Sequence, residues 1–349
     1  MSEHKPQKPT ELRISILIPC YNEELTIERC VLSCLNQTRK PDQIVVVNDC
    51  SKDGSAEILE RYTDRITVVK TPRNTGNKSS AQEYGLGFIT GEIVIMTDGD
   101  TVIDPNFVNE IIKDFNNPEI VASSGAVRSM KYNWLTRCRA FEYVVSNNIH
   151  KLSQSYLNTM LVIPGAAGAF RTDIFRKYLT FDHDTITEDL DFTYKLHRNN
   201  MKIAYNRNAI VWTQDPANLY SYINQMRRWF GGGWQNLIKH RGMVLEKPWS
   251  ALELSLLYIE GLLFSILLLA LPIIDLHLSL ILLVPWIGIA FLFAIYAAIK
   301  EKRPDLLLTP VYYIVLMYIN SYIFVEQFFK EVILGKKTLT WFKPERVRI

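Results

Sequence analysis

Cysteine is scarce in this chain of 349 residues, and its five copies follow no pattern of a structural site. The number is odd, and the spacings match neither a zinc site nor a CxxC redox pair. We therefore expect free thiols in a reducing compartment and no disulfide framework. The five positions are Cys20, Cys30, Cys34, Cys50 and Cys138.

The chain also lacks a strong excess of charge. Its formal net charge is +3 at pH 7, and no basic stripe is interleaved with aromatic residues. This composition gives no support to a nucleic-acid partner. No apolar stretch precedes the first expected strand, so a cleaved signal peptide is not predicted. The basic runs that do occur, such as Lys300–Arg303 and Lys336-Lys337, lie close to apolar segments, which is typical of the cytoplasmic face of a membrane.

The first part of the chain contains short β-branched runs that alternate with amphipathic helical patterns. This alternation predicts βαβ units around a buried, mostly parallel sheet, in which ligands bind beyond the carboxyl ends of the strands. The expected strands are Ile14–Ile18, Ile44–Val47, Ile66–Val69 and Ile93–Met96, and the expected helices lie near Glu24–Leu35, Ser55–Tyr62 and Ser79–Phe88. A later amphipathic stretch, Asn133–Met160, either packs on the core or lies along a membrane face.

Three apolar segments near the end of the chain approach the roughly 20 residues with which a helix crosses a bilayer. They are Leu254–Ile274, Leu278–Ala298 and Leu306–Val325. The link between the first two, Asp275–His277, is so short that they must form a hairpin, and basic residues place both of its ends inside. The sequence does not decide whether the third segment crosses the membrane. If it crosses once, the basic tail, residues 336–349, lies outside against the positive-inside tendency; otherwise the segment re-enters or lies at the interface.

Acidic residues follow the second and fourth expected strands. Asp49 and Asp53 either cap the next helix or hydrogen-bond a nucleotide base and ribose. Asp98 and Asp100 stand one residue apart after a buried strand, so their carboxylates converge and repel each other. A hard divalent cation such as Mg²⁺ or Mn²⁺ relieves this repulsion and can bridge to substrate phosphates. We therefore interpret this pair as a metal site, with an ordinary surface loop as the alternative.

Two later motifs also carry chemistry. Thr187-Glu188-Asp189 precedes an expected helix, where the carboxylates either favour the helix dipole or supply a general base; we favour Asp189 as that base. Gln225–Trp229 lies on an amphipathic stretch just before the apolar segments. Its Arg228 can stabilise a departing diphosphate and its Trp229 can face a sugar ring, whereas the alternative is a pair of side chains anchored at a membrane interface.

Together these motifs resemble glycosyltransferase family 2, the large inverting family with the GT-A fold. The resemblance covers about residues 13–240 and is greatest to the membrane-bound processive branch, which includes cellulose, chitin, hyaluronan and poly-N-acetylglucosamine synthases. It depends on four ordered motifs: Asp49, Asp98-Gly99-Asp100, Thr187-Glu188-Asp189 and Gln225-x-x-Arg228-Trp229.

The resemblance implies a role for each matched residue. The residues implied to bind the nucleotide sugar, expected to be UDP-linked, are Pro19, Tyr21, Glu23, Asp49, Lys78 and Asp98. Those implied to bind acceptor and diphosphate are Gly165, Gln225, Arg228 and Trp229; the implied catalytic residues are Glu188, Asp189 and Arg228, and the implied Mg²⁺ or Mn²⁺ ligands are Asp100 and Asp98.

The sequence thus predicts an α/β protein with a Rossmann-like GT-A domain at residues 13–249, preceded by a flexible segment, residues 1–12. A membrane region, residues 250–335, and the basic tail would follow, which predicts a multi-pass protein of the cell membrane with a cytoplasmic catalytic domain. The expected activity is processive synthesis of a β-linked polysaccharide from a nucleotide sugar. Transfer of one sugar to a membrane lipid is the alternative, and a non-catalytic nucleotide-sugar-binding module is a remote one. The sequence leaves the oligomeric state open.

Overall fold

The computed structural model of the chain describes residues 12–178, 184–246, 248–339 and 342–347. Nearly all of the amino-terminal segment that we expected to be flexible, and parts of the basic tail, lie outside the described residues. Within these described residues, eight strands form one sheet in the order β3-β2-β1-β4-β7-β6-β8-β5. They are β1 Ile14–Cys20, β2 Gln43–Asn48, β3 Thr67–Lys70, β4 Ile93–Met96, β5 Thr101–Ile103, β6 Ile120–Ser129, β7 Gly168–Arg171 and β8 Lys202–Thr213.

Helices cover both faces of the sheet and continue beyond it. They are α1 Ile27–Leu35, α2 Ser55–Glu60, α3 Lys78–Leu86, α4 Phe107–Ile111, α5 Trp134–Val145, α6 Lys151–Leu157, α7 Thr172–Tyr178, α8 Glu188–Arg198, α9 Leu219–Lys239, α10 Met243–Glu246, α11 Pro248–Ile274, α12 Leu276–Glu301 and α13 Thr309–Phe328. Short 3₁₀ turns occur at Ile112–Asn116 and Pro304–Leu308, and π turns occur at Ser146–His150 and Phe329–Ile333.

The predicted strands are confirmed as β1 to β4, and β1 pairs in parallel with both β2 and β4. Antiparallel β7 then joins β4 to the second half of the sheet. Helix α1 begins three residues later than predicted, at Ile27 and not Glu24. The reason is a separate turn, in which the carbonyl oxygen of Glu23 accepts hydrogen bonds from the backbone N–H groups of Thr26 and Ile27.

Alternation along β1 builds a core on each face of the sheet. Ile16 packs with the buried residues on one face and Leu17 with those on the other, because successive strand side chains point in opposite directions. Helix α3 lies close to the second face at Gly85, where a Cβ atom would come within 2.5 Å of Leu17 and Val47. The two cores hold the carboxyl ends of β1, β2 and β4 at one rigid edge.

The amphipathic stretch after β6 packs between the sheet domain and the apolar helices. Phe141 and Val144 of α5 are buried in one cluster with Ala294 of α12, and the Phe141 ring meets Tyr313 of α13 edge-on at 5.6 Å. Helix α5 therefore packs in a core, as one of the two alternatives predicted, and the apolar segments form part of that core.

The predicted hairpin of apolar helices is confirmed as α11 and α12, which are joined through Asp275, the residue that caps α12. Both helices, like α13, are long and apolar enough to cross a membrane, with mean hydropathies of 2.3 and 2.6 for the hairpin and 1.5 for the third segment. At the end of α12, Glu301 forms an ion pair with Arg128 of β6 at 3.1 Å. The hairpin thus ends beside the sheet domain.

Helix α13 differs from the hairpin because it lies along the sheet domain. Just before it, Asp305 pairs with Arg137 of α5 at 3.5 Å, and just after it, Glu331 accepts a hydrogen bond from Gln235 of α9. Within α13, Asn320 accepts a hydrogen bond from the Tyr222 hydroxyl of α9. Both ends of this segment therefore contact the same domain.

Candidate active site

A cavity of about 700 Å³ opens at the carboxyl edge of the sheet. Its walls come from the loops after β1, β2 and β4, from the starts of α3 and α8, and from α5 and α9. The structure brings all of the predicted site residues to this cavity. They are Pro19, Tyr21, Glu23, Asp49, Lys78, Asp98, Asp100, Gly165, Glu188, Asp189, Gln225, Arg228 and Trp229.

The two acids that follow β2 have different surroundings. Asp49 is buried at the cavity wall, and its carboxylate accepts hydrogen bonds from the Thr71 hydroxyl at 2.8 Å and from the backbone N–H of Thr75 at 2.9 Å. Asp53 instead accepts hydrogen bonds from the backbone N–H groups of Glu24 and Ser55 at the start of α2. The sequence left open whether these acids cap the next helix or bind a nucleotide. Asp53 caps the helix, whereas Asp49 is a carboxylate held in a fixed position at the cavity.

Lys78, the first residue of α3, lies between two carboxylates from distant parts of the chain. Its Nζ is 2.5 Å from Asp98 Oδ1 and 3.6 Å from Glu188 Oε1. Burial alone lowers the pKa of an ammonium, but Asp98 and then Glu188 outweigh burial and raise the pKa of Lys78. The cavity therefore contains a permanent cation.

Asp189 stands at the start of α8, on the same cavity. Burial, reinforced by the negative charge of Glu188, raises the pKa of the Asp189 carboxyl to about 6. The backbone N–H groups of Leu190, at 2.9 Å, and Gly165, at 3.4 Å, hold the carboxylate in place. A carboxylate of this kind can accept a proton near neutral pH.

Helix α9 presents Gln225, Arg228 and Trp229 to the cavity from one face, because residues three and four apart lie on the same side of a helix. Arg228 is within electrostatic range of Glu188 and Asp189, although burial lowers its pKa overall. Trp229 is packed under a second arginine, Arg139, whose guanidinium lies 4.9 Å from the indole centre. The arrangement places the Asp189 carboxylate, the cations Lys78 and Arg228 and the indole of Trp229 around one space.

Comparison with known proteins shows which family the chain resembles. The model of the family described as "Glycosyl transferase family 2" matches residues 15–179. Over that range the chain is similar to glycosyltransferase family 2. It is 31% identical over 230 residues to the poly-beta-1,6-N-acetyl-D-glucosamine synthase of Staphylococcus epidermidis, a match that covers 65% of this chain and 56% of that protein. The synthase of the same name from Staphylococcus aureus is 28% identical over the same length. The chain thus matches little more than half the length of these relatives.

Solved structures agree on the fold. The mannosyltransferase PcManGT from Pyrobaculum calidifontis superposes with a TM-score of 0.60 at 18% identity, covering 87% of each chain. Residues 1–349 of Staphylococcus aureus TarS superpose with a TM-score of 0.51 at 19% identity, covering 92% of each chain. The chain therefore has the predicted GT-A fold.

The sequence did not predict that the basic tail contacts the sheet domain. Lys343 Nζ lies 3.0 Å from Glu23 Oε1 and donates a hydrogen bond to the carbonyl oxygen of Tyr21. Arg346 forms ion pairs with Glu23 and with Asp100 of the expected metal site. The sequence signal for this contact is the high density of Lys and Arg after the last apolar segment, which suits an acidic partner as well as a membrane surface.

Four polar residues on the wall formed by α5, α6 and the end of β8 also escaped prediction. Arg139, Tyr143 and Lys151 lie on an amphipathic stretch that looks like ordinary helix in the sequence, and Asp215 follows β8. Burial lowers the pKa of the Lys151 ammonium to about 8, and its Nζ donates a hydrogen bond to the Ser124 hydroxyl. This wall of the cavity is therefore polar, although the sequence of its helices indicates only packing against a core.

The raised pKa of Asp189 predicts the pH dependence of transfer. A general base must be ionised, so kcat should fall as the pH drops through about 6, with a limiting slope of one on a logarithmic plot. Initial rates at saturating donor, measured from pH 5 to 8 with a stability control at each pH, test this. If kcat instead falls only near pH 4, where an unperturbed aspartate titrates, Asp189 with its raised pKa is not the titrating base.

Proposed function

We propose that the chain is an inverting glycosyltransferase of the membrane that polymerises sugar from a nucleotide-sugar donor, with UDP as the nucleotide. The observation that carries the proposal is the position of Asp189, a carboxylate with a pKa of about 6, on the same cavity as the cations Lys78 and Arg228. A base and a phosphate-binding side are the two requirements of sugar transfer by single displacement.

In this reaction Asp189 takes the proton of an acceptor hydroxyl, and the oxygen of that hydroxyl attacks the anomeric carbon of the donor sugar. The bond between that carbon and the diphosphate oxygen breaks, and the electron pair leaves with the nucleotide diphosphate. Lys78 and Arg228 meet the charge that develops on the leaving group. Because the attack comes from the face opposite the leaving group, an α-linked donor yields a β-linked product.

The residues at the expected metal site fit a hard cation. Asp98 and Asp100 supply carboxylate oxygens to one cavity, and Mg²⁺ commonly takes one or two such ligands together with substrate phosphates. Among the described residues, no group of three or more His, Cys, Asp and Glu side chains could hold a metal ion unaided. Phosphates of the donor would therefore complete the site, and a bound Mg²⁺ or Mn²⁺ would supply charge neutralisation at the diphosphate.

Two observations favour a polymer over a single transfer. The named relatives are polysaccharide synthases. In addition, a second cavity of about 350 Å³ lies on the other side of α5, lined by aromatic residues such as Phe141 and Trp286, and it shares Glu142 and Ser146 with the catalytic cavity. An aromatic space between the site and the apolar helices is suited to a sugar chain that leaves toward the membrane.

For the membrane region, we propose that the α11–α12 hairpin crosses the bilayer and that the catalytic domain faces the cytoplasm. The segment around α13 contacts the catalytic domain at both ends, through Asp305 and Glu331, which favours a helix at the interface over a single crossing. This arrangement leaves the basic tail on the cytoplasmic side, as the positive-inside tendency requires. The proposed boundaries are 13–249 for the catalytic domain, 250–335 for the membrane region and 336–349 for the tail.

The product decides between polymer and glycolipid. Purified full-length chain in nanodiscs, with Mn²⁺ or Mg²⁺ and radiolabelled UDP-N-acetylglucosamine as the first donor, should give a high-mass product that a β-specific hexosaminidase degrades. A single organic-soluble labelled spot would contradict polymer synthesis and favour a lipid acceptor. If no donor in a panel of UDP- and GDP-sugars is turned over, the proposal of a transferase is wrong.

The pairing of Arg346 with Asp100 predicts that the tail competes with the cation. Arg346→Gln removes a positive charge from the carboxylate that would ligate the metal, so Mn²⁺ should bind about tenfold more tightly in the presence of UDP. Titration of free Mn²⁺ by electron paramagnetic resonance measures this without turnover. The matched control is Arg198→Gln, which breaks a surface pair with Glu246. Equal affinity in all three proteins would mean that the tail does not compete for the site.

A further inference from the structure

A separate polar cavity, of about 400 Å³, lies where helix α12 ends against the sheet domain. We call it the α12-end cavity. Its walls come from the ends of β6 and β8 and from the turn that follows α12, and they include Lys131, Trp212, Lys302, Arg303 and Asp305. Because α12 is an apolar helix of 26 residues, this cavity lies at the level at which the helix would leave a bilayer.

Strand register separates the α12-end cavity from the catalytic cavity. Arg128 of β6 and Trp212 of β8 lie opposite each other, so their side chains point to the same face of the sheet. On that face Arg128 pairs with Glu301 of α12 at 3.1 Å, and Trp212 lines the α12-end cavity. Thr213, the next residue of β8, points the other way and lines the catalytic cavity. The two cavities therefore lie on opposite faces of the same strands.

The α12-end cavity has an excess of positive charge. Three of the named side chains are cations and one is a carboxylate, that of Asp305, which already pairs with Arg303 at 2.8 Å and with Arg137 at 3.5 Å. Lys131 and Lys302 are exposed, and neither forms an ion pair with any residue that the structure describes. Two ammonium groups that face one cavity repel each other, and an anion between them relieves this repulsion.

The surroundings of the cavity favour the phosphate of a lipid over a free anion. Trp212 supplies an indole, a side chain that is enriched where a membrane meets water. Ile299, which precedes Lys302 by three residues on α12, is 74% exposed and offers an apolar surface beside the cavity. Basic pockets beside spanning helices bind the headgroups of anionic lipids, whereas a free anion has no use for either apolar side chain.

We propose that the α12-end cavity binds an anionic membrane lipid, with the lipid phosphate between Lys131 and Lys302 and the acyl chains along the exposed side of α12. The proposal depends on the proposed insertion of the α11–α12 hairpin into the bilayer and is independent of the chemistry of sugar transfer. A lipid at this place fastens the end of α12 to β6 and β8, the strands whose opposite face forms part of the catalytic cavity.

Native mass spectrometry of the full-length chain in detergent, titrated with phosphatidylglycerol or with phosphatidylcholine of the same acyl chains, measures the site without turnover. The double variant Lys131→Gln/Lys302→Gln should weaken the binding of phosphatidylglycerol about thirtyfold, a factor of about five for each lysine, and leave that of phosphatidylcholine unchanged. The matched control Lys113→Gln/Lys202→Gln removes the same charge from two exposed ion pairs and should bind both lipids as the wild type does.

A single substitution guards against an effect on folding. Lys302 has a positive φ of 53°, a backbone conformation that suits glycine. Lys302→Gly therefore removes one ammonium without adding strain, and it should weaken the binding of phosphatidylglycerol about fivefold.

Three results would overturn the proposal. Equal affinity for phosphatidylglycerol in the wild type, Lys302→Gly and the double variant overturns the lipid site alone. Displacement of the lipid by an equal concentration of inorganic phosphate would show a site for free anions and overturn the assignment to a lipid. Extraction of the wild-type chain from membranes by alkaline carbonate overturns the proposed insertion of the hairpin, and the lipid site with it.

Discussion

Asp189→Asn should reduce sugar transfer by about 10³- to 10⁴-fold, because the amide cannot accept the proton of the acceptor hydroxyl. The replacement keeps the size of the side chain, and the amide oxygen can still accept the 2.9 Å hydrogen bond from Leu190 N–H, which goes to Oδ1. Only the longer hydrogen bond from Gly165 N–H to Oδ2, at 3.4 Å, is lost. Nucleotide binding should therefore stay near the wild-type value. Initial rates of transfer, together with calorimetric titration of UDP and Mn²⁺, measure both quantities on the same preparation.

The nearby Asp191 provides a control on the same helix. Its carboxylate does not line the cavity, and hydrogen bonds from His240, Lys239 and Lys195 outweigh burial and lower its pKa to about 2. Because its folded pKa is depressed, Asp191 stabilises the fold above the unfolded pKa near 4, and this contribution is lost as the pH falls through about 2. Asp191→Asn should therefore cost about 2 kcal/mol of stability at neutral pH while transfer continues. Wild-type turnover by Asp189→Asn would show that the base lies elsewhere.

Local chemistry explains which parts of the fold could be predicted from the sequence. Runs such as Ile93–Met96 are continuous and apolar because they are buried on both faces. This pattern can be recognised from a short stretch of sequence alone. The same reasoning located Asp49, Asp98 and Asp100, since residues that follow parallel strands meet at one edge of the sheet. Helix boundaries were less accurate, as at Ile27, where a turn built on Glu23 delays the helix.

The contacts that escaped prediction join distant parts of the chain. Nothing in the sequence near Arg346 indicates that it pairs with Asp100, because the pairing depends on how α13 returns the tail to the catalytic domain. Asp215 is similarly inconspicuous, a single acid between a strand and a helix, until the fold places Arg139 beside it. Periodicity reports which face of an element is buried, but it does not report which distant partner covers that face.

Lys78→Met should lower kcat/KM for the donor by about a thousandfold. Methionine has nearly the same length and packs in the same space, but it removes the cation that faces the leaving diphosphate. It also leaves Asp98 and Glu188 without the ammonium that lies between them, at 2.5 Å and 3.6 Å, so that an anionic donor meets an unbalanced negative charge. The loss should appear in kcat and in the KM for the donor together, because the cation acts on both bound donor and transition state.

The control for this variant is Lys113→Met, which removes an exposed lysine that pairs with Glu110, three residues earlier in the chain. A pair of this kind contributes little to stability, so both kinetic constants should match the wild type. If Lys78→Met retains donor KM and kcat within about threefold, the lysine serves only to neutralise Asp98 and Glu188, and Arg228 must then supply the charge that meets the diphosphate. The companion variant Arg228→Met tests that outcome, because transfer should then fall if Arg228 meets the charge of the diphosphate. Unchanged transfer would mean that another cation of the cavity does so.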